Sequence, residues 1–183
     1  MRGGNPNTTN RGKQGMSVHT PATTDEYYEV LKAFATQNPN GNGVADGIGV
    51  YGMAAGGYGQ NVTNVLMNSF IFYNGGTQNG GLSLSEDGNT VIAPFATERW
   101  KAGLEYMNKL CQENLLPASI FTDDDTQFKA TLNNEVNIVG SVSAGSHSNW
   151  TDANTNANFI DMMMIPPLKA PEGAAYSAYI YST

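Results

Sequence analysis

The chain has 183 residues, 40% of them hydrophobic and 14% charged, with a formal net charge of −7. That length suits one domain of ordinary size burying about two-thirds of its accessible surface. The acidic balance argues against a phosphate-binding nucleic-acid protein, no run reaches the ~18 apolar residues of a membrane span, and a single cysteine excludes an internal disulfide or a multi-cysteine zinc site.

Residues 1–14 (MRGGNPNTTNRGKQ) are small and polar, without hydrophobic periodicity, and read as a solvated tail or a start that is not the natural beginning of the protein. The three basic residues there, Arg2, Arg11 and Lys13, are too few for a nucleic-acid arm. Thr23 to Glu26 fits a capping box, and Tyr27, Val30, Leu31 and Phe34 then make one apolar helical face that stops at Asn38-Pro39. A Gly/Asn loop from Asn38 to Gly49 leads to a short strand, Ile48 to Tyr51, and Val62, Val65, Leu66 and Phe70 predict a second helix. Two short alternating runs around Asp87-Gly88 predict a hairpin. The third helix is Thr97 to Glu113, with Trp100, Leu104, Met107 and Cys111 on its apolar stripe and Asn114 ending it in a left-handed conformation.

Thr122 is placed to cap a fourth helix with Asp123, Asp124 and Asp125 in its first turn. Val136 to Val142 and Phe159 to Ile165 read as buried strands, with Met162-Met163-Met164 as strand core, separated by a Ser/Asn/Gly loop from Ser143 to Asn158. Interleaved helices and strands make the class α/β, in one unit from residue 15 to 183.

The loop Asn38-Pro39-Asn40-Gly41-Asn42-Gly43-Val44-Ala45-Asp46 has the layout of an EF-hand-like calcium loop. Asn38, Asn40, Asn42 and Asp46 supply side-chain oxygens at positions 1, 3, 5 and 9, and Val44 a carbonyl at 7. Position 12 is Gly49, so only one carboxylate offsets the dehydration of a divalent cation, and a metal-free turn held by Asx hydrogen bonds is the competing reading. Gly47 to Gly52 spells G-x-G-x-x-G, but a loop precedes it and no helix opens at its end, so dinucleotide binding is not expected. Ser141 to Gly145 lacks the first Gly of a nucleophile elbow. Cys111 reads as core, and Asp123 to Asp125 as complements to a helix dipole rather than metal ligands. Asn61-Val62-Thr63 is a formal glycosylation sequon of a kind common by chance in an Asn-rich chain. His147 and Trp150, on the loop after one strand, and Tyr51, Tyr58, Gln60 and Asn61, at the end of another, make two sets able to stack on a sugar face and bond its hydroxyls. The competing reading of Trp150 is a partly buried loop residue.

Four landmarks occur in order: TPATTDEYYEVLKAF, NPNGNGVADGI, ATERWKAGLEYMNKLCQENLLPASIFTDDDTQFKATLNN and DMMMIPPLKAPEG. Together they resemble the family 1 extracellular solute-binding proteins of bacterial ABC importers, lipoprotein-type, from about Gly15 to the last residue. The resemblance implies a type II periplasmic-binding-protein-like fold in which two lobes close on a sugar, with this chain looking like most of the second lobe and so a fragment of a longer protein. It implies an oligosaccharide ligand, an ABC permease as membrane partner, no catalysis, and an extracytoplasmic lipoprotein whose signal and lipobox are absent from these residues. The family's calcium loop runs D-x-N-G-N-G-x-x-D-E, so Asn38 and Gly47 replace its first Asp and last Glu; its sugar-stacking Trp often directly follows the strand equivalent to Val136–Val142, where Ser143-Ala144 stand here. The rival is a polysaccharide hydrolase, which needs a paired acid and base such as Glu135 with Asp152 or Asp161, though no spacing supports that pair. A truncated, non-functional lobe is the third reading.

Overall fold

The computed structural model describes residues 20–57, 59–73, 80–85, 87–146, 149, 151, 156, 162–173 and 175. The tail 1–14 lies outside them.

Helix α1 (Thr24–Thr36) begins on the expected capping box: Thr23 Oγ1 accepts from the Glu26 amide at 3.2 Å, and Glu26 Oε2 accepts from the Thr23 amide at 3.3 Å. Such a cap contributes about 1 kcal/mol. It ends at Gln37, after which Asn38 takes a φ of 47°, because Pro39 bars the right-handed helical region to the residue before it and Asn tolerates the left-handed one.

Strand β1 (Ile48–Tyr51) lies parallel to β4 (Val139–Val142), with Ile48 opposite Val139 and Val50 opposite Ser141. On the other side of β1, the Val50 amide donates to Leu115 O and the Ala54 amide to Ile120 O, both at 2.8 Å. The strand is therefore flanked on both edges, which explains why Val50 and Tyr51 are buried. β4 is shorter than the predicted run, and Val136 is exposed. α1 packs on this pair: a Cβ on Gly140 would overlap the Phe34 ring, one on Gly49 would lie 3.0 Å from Leu31 Cβ, and the buried Tyr27 hydroxyl donates to Ser141 Oγ at 2.7 Å. The G-x-G-x-x-G run thus brackets the strand, its glycines serving close packing.

α2 (Val62–Met67) is shorter than the sequence predicts; Val65 faces solvent, and Phe70 is buried in the turn beyond. The hairpin forms as expected from β2 (Ser83–Leu84) and β3 (Val91–Ile92), with Leu84 opposite Val91. α3 (Glu98–Gln112) is capped by Thr97, but its buried line is Gly103, Met107 and Leu110. Leu104 is 50% exposed, a correction to the predicted stripe. The line shifts because Gly103 admits Met67: a Cβ there would stand 2.5 Å from Met67 Sδ. Asn114, at φ 55°, ends the helix as predicted, with the Leu115 amide bonded to Leu110 O at 2.8 Å and its own to Cys111 O at 3.0 Å, a complete Schellman motif. Cys111 packs half-buried against the core, and burial pushes its thiol pKa up.

α4 (Asp125–Leu132) is capped by Asp124, not Thr122. Asp124 Oδ1 accepts from the Gln127 amide at 2.9 Å, and Gln127 Oε1 returns the bond to the Asp124 amide at 2.8 Å. Thr122 instead closes a 3₁₀ turn (Ala118–Phe121), its hydroxyl donating to Ser119 O. The strand expected from Phe159 to Ile165 begins outside the described residues, and Met162 to Ile165 form no strand. Met164 is 96% exposed and Met163 is also exposed, so the triplet is not strand core: no neighbouring strand pairs with 162–165 among the described residues. Met162 still packs half-buried against the core, Leu168 is buried, and Lys169 is bridged in parallel to Thr23.

Candidate functional site

Parallel strands end on the same side, and the loops leaving them share one edge of the sheet, where open α/β sheets bind ligands. Here these are the loop Gly52–Asn61 after β1 and the loop beginning at Ser143 after β4. The turn into α4 joins them.

Several bonds weld the three segments. The Ser143 amide donates to Tyr51 O at 3.0 Å, extending the strand pairing, and its hydroxyl donates to Gly59 O. Gly59 sits at φ 78°, and a Cβ there would stand 2.7 Å from the Gly145 amide nitrogen, so the loops touch backbone to backbone. The Gln60 side chain, 6% exposed, reaches Asp125 Oδ1 and Asn149 O, each at 3.4 Å. Lys129 bonds Asp125 Oδ2 at 2.6 Å and, ahead of the Gln60 amide, holds the Asp125 carboxyl below the usual aspartate range.

Of the predicted ligand residues, Tyr51, Gln60 and Asn61 are described, while Tyr58, His147 and Trp150 lie outside the described residues. Tyr51 is 2% exposed and its ring stacks on Phe128 at 5.6 Å between centroids. Its hydroxyl donates to Asp123 Oδ2 at 2.6 Å, and burial, then this bond, raise its pKa. Asn61 caps α2: its Oδ1 accepts from the Asn64 amide and the Thr63 hydroxyl, and its Nδ2 donates to Ala54 O. Both ends of the sequon's amide are engaged in the fold. Gln60 alone of these three combines a buried stem with long, replaceable contacts. Sequence reasoning missed Ser143 and Gly59, although a Gly inside an aromatic, amide-rich loop is a signal of close backbone approach.

The calcium-loop candidates stand together. Asn40 Oδ1 accepts from the Asn42 amide at 3.2 Å and Asn42 Oδ1 from the Val44 amide at 2.9 Å, the Asx turns of a tight loop. Asn42 Nδ2 donates to the Asp46 carboxylate at 3.0 Å. Asn38 Oδ1 is buried with no hydrogen-bond partner among the described residues. An orphaned acceptor costs about 1–3 kcal/mol, and this one stands at position 1 of the loop, whose donor set holds a single carboxylate. No added carboxylate can enter at Gly47 or Gly49 as the chain stands: a Cβ at Gly47 would overlap Phe34 O, and one at Gly49 would lie 2.8 Å from Leu115 O. Among the described residues no three His, Cys, Asp or Glu side chains gather, and Asp123 to Asp125 have separate partners. Of the residues imagined for a hydrolase, Glu135 is exposed, and Asp152 and Asp161 lie outside the described residues.

No family model matches the chain. It is 24% identical over 163 residues to the fructooligosaccharide ABC transporter substrate-binding protein FusA of Streptococcus pneumoniae, covering 89% of this chain and 28% of that one. A structure of FusA, an EF-hand mutant in complex with fructo-nystose, superposes with a TM-score of 0.73 at 24% identity over 95% of this chain and 32% of that one. An extracellular solute-binding protein from Bifidobacterium longum subsp. infantis gives a TM-score of 0.69 at 28% identity, over 90% of this chain and 33% of that one. The chain spans about a third of the length of these relatives, which are named as substrate- or solute-binding proteins. Over that third the chain has the type II periplasmic-binding-protein-like fold, and it is similar in sequence to substrate-binding proteins of ABC transporters.

Proposed function

We propose that the chain binds an oligosaccharide as part of the extracytoplasmic substrate-binding component of an ABC importer, a lipid-anchored protein that delivers sugar to a membrane permease and performs no chemistry. The observation that carries this reading is the meeting of both strand-end loops at Gln60, a buried amide with two long contacts. Binding would be reversible capture: aromatic faces of Tyr58, His147 and Trp150 cover the sugar ring, and Gln60 and neighbouring amides satisfy its hydroxyls as water leaves. In this reading Tyr51 and Asn61 support the site from behind, through Asp123 and through the start of α2. Calcium, held by Asn38, Asn40, Asn42, Asp46 and the Val44 carbonyl, would supply charge that draws these oxygens inward and stiffens the loop between α1 and β1. Relatives named as substrate-binding proteins support the reading without catalysis.

The test is calorimetric titration of the chain with a panel of oligosaccharides, scored also for cleavage. Saturable heat for at least one glycan, abolished in Gln60→Ala and without cleavage, is expected. Turnover of any glycan overturns the reading, as does silence across the panel from a cooperatively folded chain.

A further inference from the structure

Resting on the reading that the ends of β1 and β4 bind a glycan, we infer that this mouth selects uncharged oligosaccharides and rejects those bearing uronate or sulfate groups, with Asp125 setting the preference through its contact with Gln60. Gln60 Nε2 stands 3.4 Å from both Asp125 Oδ1 and Asn149 O, at the far limit for an N–H···O bond. Bonds of that length are weak, so a ligand oxygen can replace either of them at this amide, and a ligand that does so comes up against the Asp125 carboxylate. A neutral sugar hydroxyl donates to such a carboxylate in a charge-assisted bond. A uronate or sulfate must shed water and then face a like charge.

The local charges decide the sign. Asp123, Asp124 and Asp125 place three carboxylates before and within the first turn of α4. Against them stand Lys129, bonded to Asp125 at 2.6 Å, and a helix dipole equivalent to about half a positive charge. The balance stays negative, and the chain's net charge of −7 adds slower encounter with anions at low salt.

The experiment titrates the full chain, at low and at high salt, with two length-matched probes: an uncharged fructo- or gluco-oligosaccharide and an oligogalacturonate. The neutral probe is expected to bind at least about tenfold more tightly at low salt, with the gap narrowing as salt rises. Asp125→Asn is expected to narrow it several-fold, while Glu105→Gln, the same charge change on exposed α3, leaves it in place. Asp124 still caps α4 in Asp125→Asn, and Asp125→Ser provides a second route to the neutral first turn should the Asn variant fail to fold. Equal or tighter oligogalacturonate binding by the wild type overturns the inference while leaving glycan binding standing. Equal effects of the Asp125 and Glu105 variants overturn the role of Asp125. Binding of neither probe, nor of any other glycan, overturns the inference together with the proposed function.

Discussion

The Tyr51 hydroxyl donates to Asp123 Oδ2 at 2.6 Å, fastening the last residue of β1 to the turn that launches α4. Phe128, one turn into that helix, stacks on the same ring, so strand and helix are joined by one side chain at its face and at its tip. Tyr51→Phe keeps the stack and removes the bond to a carboxylate. A loss of about 1–2 kcal/mol is expected, seen as a lower urea midpoint at unchanged m-value, because Asp123 is partly exposed and regains water. A change below about 0.3 kcal/mol would mean that the bond fastens nothing.

High pH should attack the same core. Burial, only partly opposed by the hydrogen bond to Ser141, pushes the Tyr27 pKa up to about 12, and Tyr51 and Tyr106 also shift up, chiefly through burial. A tyrosine whose folded pKa exceeds its unfolded value near 10 favours the folded state at lower pH, and that contribution is lost as pH rises through the folded value. Stability should therefore be level up to about pH 10 and fall between roughly pH 10 and 12. Urea midpoints across that range, with absorbance at 295 nm reporting phenolate, check it; Tyr27→Phe should flatten part of the fall.

The start of α4 separates two candidate caps. Asp124→Ala removes the side-chain bond that caps the Gln127 amide and should cost about 1 kcal/mol, whereas Thr122→Ala should stay within about 0.5 kcal/mol. A reversed order in thermal melts would return the cap to Thr122.

These cases show what could be read from the residues. Thr23 and Asn114 were legible because a cap is local chemistry, settled within four residues. Thr122 misled because Thr122 and Asp124 both precede a plausible first turn; the arbiter was the 3₁₀ turn that had already taken the Thr122 hydroxyl. The burial of Tyr51 follows from the pairing of β1 on both edges, which no local pattern displays. Leu104 lost its place on the stripe because Gly103 lets Met67 in, a contact between residues 36 positions apart. The site divided similarly. Gln60 was legible as an amide near aromatics, but its meeting with Asn149 and Asp125 depends on the parallel strands ending together.

The joined loops make a sharper test. Gly59→Ala imposes a side chain at φ 78° and sets its Cβ 2.7 Å from the Gly145 nitrogen, a backbone atom without room to turn aside. A cost of about 1–3 kcal/mol is expected, with glycan affinity falling more than in Ser143→Ala, which removes one hydrogen bond and leaves the approach intact. Glycan titrations of the two variants alongside urea melts check the order. Equal effects would show that the hydrogen bond, not the close approach, sets the loops.

Calcium should act at Asn38. Its buried, unpartnered Oδ1 occupies the first position of the loop, where a carboxylate would add a second charge to that of Asp46. For a weak site with Kd of about 1 mM, 10 mM calcium stabilises the folded chain by about 1.4 kcal/mol, or roughly 3–6 °C in Tm. Asn38→Asp should increase that rise and deepen its dependence on calcium, while lowering Tm in EDTA because a bare buried carboxylate replaces an amide. Gly47→Glu should lower Tm with and without calcium, since its Cβ meets Phe34 O before the carboxylate can reach the loop. Thermal melts of the three chains in EDTA, in 10 mM magnesium and in 10 mM calcium decide the matter. A wild type and an Asn38→Asp variant both indifferent to calcium would leave the loop a metal-free turn, held by the Asx bonds of Asn40 and Asn42.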